Sequence, residues 1–258
     1  MKKNLFKALV TDEANKNYIG TGNPLADILI VGKESAIDMV SQRGQYDMEI
    51  ANNADDWRSN LSNSITQDKV GSWFDPNPKY NPLYPYKNQQ NKIENATNRP
   101  NSGTSTTFYN YQKLIDKIYN NGVKSSLINF HEHTFITELS EATGKYSSKV
   151  NKKQRKESIT ERCEFLKHSF YRDFPIVIVA VGHYVRDFDI NIESLFDVKF
   201  VEQIKSTVDL KTNFINLHYD DLNNPKRMVI HTNQLSIGTT NALISELGSI
   251  IKEFLEKR

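Results

Sequence analysis

Four short apolar runs rich in β-branched residues punctuate an otherwise polar chain: Ile28 to Val31, Thr134 to Thr137, Ile176 to Val181 and Met228 to Ile230. A run that is apolar throughout, without alternation, suits a strand buried on both faces and so predicts parallel pairing. Between these runs, Phe108, Tyr111, Leu114, Ile115 and Ile118 recur every three or four positions, as do Ile159, Cys163, Leu166 and Phe170. Each spacing predicts a helix with one apolar face. The clearest stripe is Leu243, Leu247, Ile250, Ile251, Phe254 and Leu255, with Lys252 and Lys257 near its C-terminus opposing the helix dipole. Thr239 or Thr240 is its candidate cap. Strand and helix alternate, which predicts a three-layer α/β/α fold with a central four-stranded parallel sheet. Ligands of such sheets bind beyond the carboxyl ends of the strands.

Two stretches break the alternation. Residues 41 to 106 are rich in Asn, Ser, Asp and Pro and hold Trp57, Trp73, Phe74, Tyr80, Tyr84 and Tyr86. A loop of this length is either functional or mobile. Its aromatic residues offer a base-stacking face, with Phe74 and Trp73 the best placed, or else pin the loop to the domain. The second stretch carries Lys145, Lys149, Lys152, Lys153, Arg155 and Lys156 with no acidic residue among them. It is read either as a phosphate-contacting run or as a solvated linker and helix start.

Composition narrows the class without naming a function. At 258 residues with 38% hydrophobic and 25% charged positions, the chain is expected to form one globular domain over 1–258. A net charge of +2 is too small to indicate a polyanion partner by itself. Cys163 is the only cysteine, which rules out an intrachain disulfide, a cysteine-based zinc site and a four-cysteine iron–sulfur cluster. The expectation is a cytoplasmic protein with no cofactor. The N-terminus lacks an apolar leader and no long apolar run occurs, so no membrane association is expected. His131-Glu132-His133 would put two imidazoles on one face if extended, but no third ligand stands at motif spacing and no metal is assigned.

The strand ends carry the candidate chemistry. The first run closes on Gly32-Lys33-Glu34-Ser35, where glycine permits a sharp turn and the acid is expected at the rim of the sheet, near the start of the next helix. The competing reading makes Glu34 an ordinary helix N-terminal residue. The last run leads into His231-Thr232-Asn233-Gln234-Leu235-Ser236, and an imidazole there can donate a hydrogen bond to an anion formed as a bond breaks. The competing reading is a surface or satisfied core histidine. Gly182-His183-Tyr184 closes the third run beside them.

In these motifs and their order the sequence resembles the uracil-DNA glycosylase superfamily over about residues 20 to 255. His231, Leu235 and Ser236 match the family's final motif, with Thr232 and Asn233 in place of Pro-Ser. Glu34 matches the water-activating acid of the best-known branch, with Ser35 where a proline usually follows. In the branch whose acid directly follows the glycine, the matching position is Lys33. Asp173-Phe174-Pro175 and the run to Gly182, preceded by a helix over 159 to 170, look like the family's third-strand unit.

The resemblance implies hydrolysis of the N-glycosidic bond of a damaged or modified base in DNA. Glu34 would orient water or stabilise the cationic sugar, and His231 would hydrogen-bond the departing base. Substrate contacts are expected from Gly32, Lys33, Ser35, Phe74, Glu138, Asn233 and Ser236. The family's base-reading position falls on Glu138, or on Asn129 in the alternative alignment. An ionised Glu138 would only accept hydrogen bonds and would disfavour uracil. Two rivals stand beside this reading: a nucleic-acid or nucleotide-binding protein of the same fold without hydrolysis, and a scaffold whose long loop is the contact surface.

Overall fold

The computed structural model describes residues 1–77, 79–90, 104–144, 150–204 and 213–258. Its strands are β1 (Thr21–Gly22), β2 (Ile28–Gly32), β3 (Thr134–Glu138), β4 (Ile176–Val179), β5 (Lys199–Ile204), β6 (Ile215–Tyr219) and β7 (Met228–Thr232). All four apolar runs are therefore strands. They lie side by side in the order β3-β2-β4-β7 and are mutually parallel, with Ile30 beside both Ile136 and Ile178, and Ile178 beside Ile230.

The expected four-stranded sheet is nevertheless only the middle of a seven-stranded mixed one. β1 pairs antiparallel with β3, β6 with β7, and β5 with β6 at the far edge. These three strands left no continuous apolar run in the sequence. β1 has two residues, β6 mixes Asn and His with its apolar positions, and β5 is exposed along nearly its whole length. β1 and β5 are the two edges and β6 lies next to one of them, so none carries the apolar density of the parallel strands covered on both faces.

Helices cover both faces. They are α1 (Lys2–Thr11), α2 (Arg43–Tyr46), α3 (Asn53–Ser62), α4 (Thr106–Tyr119), α5 (Phe130–His133), α6 (Lys152–Leu166), α7 (Ser169–Arg172), α8 (Tyr184–Asp187), α9 (Ile192–Phe196) and α10 (Asn241–Lys257). Leu29, Val31, Phe135, Val177, Val179 and Val229 face a core shared with α1, α3, α6, α7 and α9. Their neighbours Ile28, Ile30, Ile136, Ile178 and Ile230 face a second core built with α4 and α10. The capping chemistry is local: Ser105, Asn151 and Thr240 accept from the first-turn amides of α4, α6 and α10.

The helix expected over 159 to 170 is two helices. α6 stops at Leu166, and His168 caps α7 by accepting from Phe170 N at 3.1 Å. The long loop also contains more structure than its composition predicts: α2, a π-helical turn at Asp47–Ala51, α3 and a 3-10 turn at Gln67–Lys69. Its aromatic residues mostly pin it down. Trp57 is buried against Phe6 and donates to Gly20 O at 2.7 Å, while Trp73 and Tyr80 both pack edge-on to Tyr86. Residues 78 and 91–103 of this stretch, and Lys145 and Lys149 of the basic run, lie outside the described residues. Among the described residues, no helix is long and apolar enough to cross a membrane.

Candidate active site

Parallel pairing of β2 with β3 places Gly32 directly beside Glu138, so the two strand ends share one rim. The rim continues through Leu139 N to Gly32 O at 2.9 Å and Ser140 N to Lys33 O at 2.8 Å. The Glu138 carboxyl lies over Gly32: a Cβ on residue 32 would come within 2.3 Å of Glu138 Oε2. Gly32 is not among the residues of positive φ. It is therefore glycine because the carboxyl occupies its side-chain space, and the chain bends at the next residue, Lys33. Gly32→Ala is expected to destabilise the protein by about 1–3 kcal/mol through overpacking. Urea unfolding checks this, and most of the penalty should vanish in a Glu138→Ala background.

Glu138 is half-buried as a residue, but its Oε2 is enclosed and has no hydrogen-bond partner. Burial, reinforced by the neighbouring Glu34, pushes its carboxyl up to about 8, with Arg162 opposing. An isolated carboxylate in such a place is costly, so the proton is retained.

Glu34 has a side chain only 3% exposed, and its Oε1 accepts from Tyr184 OH at 2.9 Å and from Arg155 Nη2 at 3.3 Å. Arg155, in the first turn of α6, is itself nearly buried. Its guanidinium lies 5.3 Å from the Tyr184 ring centroid, and the Lys33 ammonium lies 4.4 Å from the same centroid. Burial lowers the Lys33 pKa, and Glu34 counteracts it. The residues after Glu34 form no helix before Arg43, so Glu34 is not at a helix start. A partnered cation and phenol hold it instead.

His231 is buried in β7, where Nε2 donates to Gly182 O at 2.8 Å, a carbonyl that can only accept. Nδ1 then faces Asn216 Nδ2 at 3.4 Å, and the Phe214 ring packs edge-on at 4.7 Å. Burial pulls the imidazole down to about 4, so it is neutral near pH 7. Its exposed side borders a cavity of about 480 Å³, lined also by Asn191, Phe200, Asn216 and His218. The turn Gly182 to Tyr184 connects the two candidates: its first residue accepts from His231 and its third donates to Glu34.

The other candidates are scattered around this rim or away from it. Ser35 follows Glu34 and is half-buried. Asn233 Oδ1 accepts from Phe214 N, and Thr232 Oγ1 donates to Phe214 O, so both departures from the family motif fasten β7 to the chain entering β6. A proline at 232 would remove an amide from a strand position paired with Ile215. Ser236 O accepts from Asn110 Nδ2 at 3.0 Å. Phe74 is 62% exposed on its loop. Asn129 precedes α5 at the opposite end of β3 from Glu138 and is held by two 2.7 Å hydrogen bonds to Gln112. His131 and His133 sit on α5 instead of an extended segment: His131 is buried among Tyr84, Phe108 and Phe130, and His133 stacks on Tyr119. Among the described residues, no group of three potential metal ligands forms.

Three residues that the sequence did not single out shape the site. Arg155 was read only as part of a basic run, yet it turns inward to Glu34, while Lys152, Lys153 and Lys156 remain exposed. Tyr184 was legible only as part of the third strand's end. Arg162 is 1% exposed and donates to Tyr18 O, Thr137 Oγ1, Glu138 O and Glu141 Oε1. The sequence matches no protein-family model and no curated protein.

Proposed function

We propose that the protein hydrolyses the N-glycosidic bond of a damaged or modified base in DNA, at the carboxyl ends of β2, β3 and β4. The observation that carries this reading is the pair of carboxyl groups at adjacent parallel strand ends, one held by a buried arginine and a phenol, the other enclosed without a partner. Burying such groups contributes little to folding, and perturbed acids gather where chemistry is done. Glu34, oriented by Arg155 and Tyr184, would direct a water to the sugar carbon. As the carbon–nitrogen bond breaks, its electron pair leaves with the base and the carboxylate offsets the positive charge on the sugar. His231 would serve the departing base after exchanging its bond to Gly182 O. The exposed Lys152, Lys153 and Lys156, beside Arg155, suit the phosphates of a DNA backbone. The three-layer α/β/α arrangement of the resembled family fits helices on both faces of a sheet with four parallel central strands. A cytoplasmic setting would keep the Cys163 thiol reduced.

A second reading, binding without hydrolysis, draws on His231, whose two ring nitrogens are both engaged within the fold. An oligonucleotide panel containing uracil, hypoxanthine, xanthine and alkylated bases separates the two. Release of free base is expected, falling about 10²–10⁴-fold in Glu34→Gln of intact fold. An intact panel, with DNA still bound in a salt-sensitive manner, would establish the binding reading.

A further inference from the structure

Sheet register carries a row of side chains across one face of the whole sheet. Phe135, Leu29, Val177 and Val229 stand side by side, and the row continues into His218 of β6 and Phe200 of β5. The next row runs through Val31, Val179, His231 and Asn216. Both rows are apolar in the middle of the sheet and turn polar toward the exposed edge strand β5. There the cavity of about 480 Å³ opens between the strands and the chain from Val185 to Glu193. Polar side chains at such positions stabilise the fold less than the valines beside them, so their grouping around an open cavity points to a ligand.

The lining is acidic and rich in hydrogen-bond acceptors. Among the described residues that line the cavity, Asp189 and Glu193 are charged and exposed, and no lysine or arginine joins them. Arg186 is paired with Asp187, and Lys199 stands beside Tyr219 on the other face of the sheet. Glu193 Oε1 accepts from Phe200 N at 2.9 Å, which fixes its carboxylate beside the Phe200 ring. His218 and His231 are 6% and 7% exposed. His218 Nδ1 meets Val229 O at 3.3 Å and His231 Nε2 meets Gly182 O at 2.8 Å. A carbonyl only accepts, so these nitrogens carry the protons and the second nitrogen of each ring is an acceptor. Burial lowers both pKa values, so the rings stay neutral near pH 7 and add no positive charge. We propose that this cavity binds a small aliphatic amine in its protonated form, its ammonium held by Glu193 and Asp189 and its carbon chain lying over Ile190, Ile192 and the Phe200 ring. A compact ammonium brings three donors to a wall of acceptors, and the half-exposed Phe200 offers it a ring face. The volume is in the range of small-molecule sites. The proposal is independent of the hydrolytic reading, which draws on the Nε2 side of His231.

The test uses the full chain. Titration with diaminobutane, followed by backbone amide NMR, should displace the signals of Asp189 to Glu193 and those of Phe200, Asn216 and His218, with a Kd below about 1 mM. Butanediol has the same length without the charge and should leave these signals in place. Two substitutions remove charge and keep shape. Asp189→Asn suits the left-handed backbone at this position, where φ is 53°, and Glu193→Gln keeps an oxygen for Phe200 N. Each should weaken binding about fivefold or more, and the double variant should abolish it. Unchanged binding in the double variant, an equal response to the diol, or amine-induced shifts confined to other acidic surfaces overturns the proposal. So does the absence of any shift at the cavity residues up to about 10 mM amine.

Discussion

Arg162→Met is expected to lower the unfolding free energy by about 3–5 kcal/mol, the usual cost of removing one partner from a buried charged network. The side chain is 1% exposed and ties three segments with one planar fork: the chain before β1, the end of β3 and α6 itself. Glu141 completes the clasp on Tyr18, accepting from Tyr18 N at 2.9 Å while Arg162 donates to Tyr18 O. Methionine fills much of the volume but leaves two backbone carbonyls and a hydroxyl without their donor, and each loss costs on the order of 1–3 kcal/mol if no water enters. Lysine should rescue little, because a single ammonium cannot reproduce the divergent guanidinium bonds. Urea unfolding of the three proteins is the measurement. A loss under about 1 kcal/mol would mean that the clasp does not hold the strand ends together.

Stability should peak near pH 6.5 and fall on both sides of it. His131 is fully buried among aromatic rings with neither ring nitrogen bonded, and burial pulls it down to about 3. His231 is pulled down to about 4. For both, the folded pKa lies below the unfolded value of 6.5, so the unfolded chain takes up protons first. Their contribution is present above pH 6.5 and is lost as pH falls toward 4 and 3, at up to about 1.4 kcal/mol per pH unit for each group. Glu138 has the opposite sign. Its folded value, about 8, exceeds the unfolded 4.5, so its contribution is complete below pH 4.5 and is lost as pH rises through 8. Between pH 4.5 and 6.5 the two histidines outweigh one glutamate by one group, and from 6.5 to 8 the glutamate dominates. Denaturation curves across pH 4.5 to 8 should trace this dome, and His131→Phe should flatten its acid limb. A level acid limb in the wild type would contradict two neutral buried imidazoles.

The parts of the fold legible in the sequence were those in which burial repeats along the chain. β2, β3, β4 and β7 are covered on both faces, so each left an unbroken apolar run. α10 has one wet face and left a clean stripe. α6 shows the limit of this logic. Its buried residues are Arg155, Ile159, Arg162 and Leu166, spaced as an apolar stripe would be, but two of the four are arginines. Hydropathy gives no reason for an arginine to face inward, and only their partners explain why these two do. At the site, Gly32, Glu34 and Glu138 were legible as strand-end residues. That Gly32 and Glu138 touch, and that Arg155 and Tyr184 hold Glu34, are facts of sheet register and crossover packing between segments distant in sequence. The upward push on the Glu138 carboxyl was illegible for the same reason, since its burial and the neighbouring Glu34 depend on packing between separate segments.

The carboxyl resting over Gly32 also bears on the sequence variation the fold can accept. Residues 32 and 138 share one volume, so a methyl group can appear at the first only if the second shortens or turns away. Among sequences of this fold, the two positions should change together: glycine beside a long polar residue, or a larger residue beside a small one. Such coupled substitution would trace the register of β2 against β3 without any structure being known.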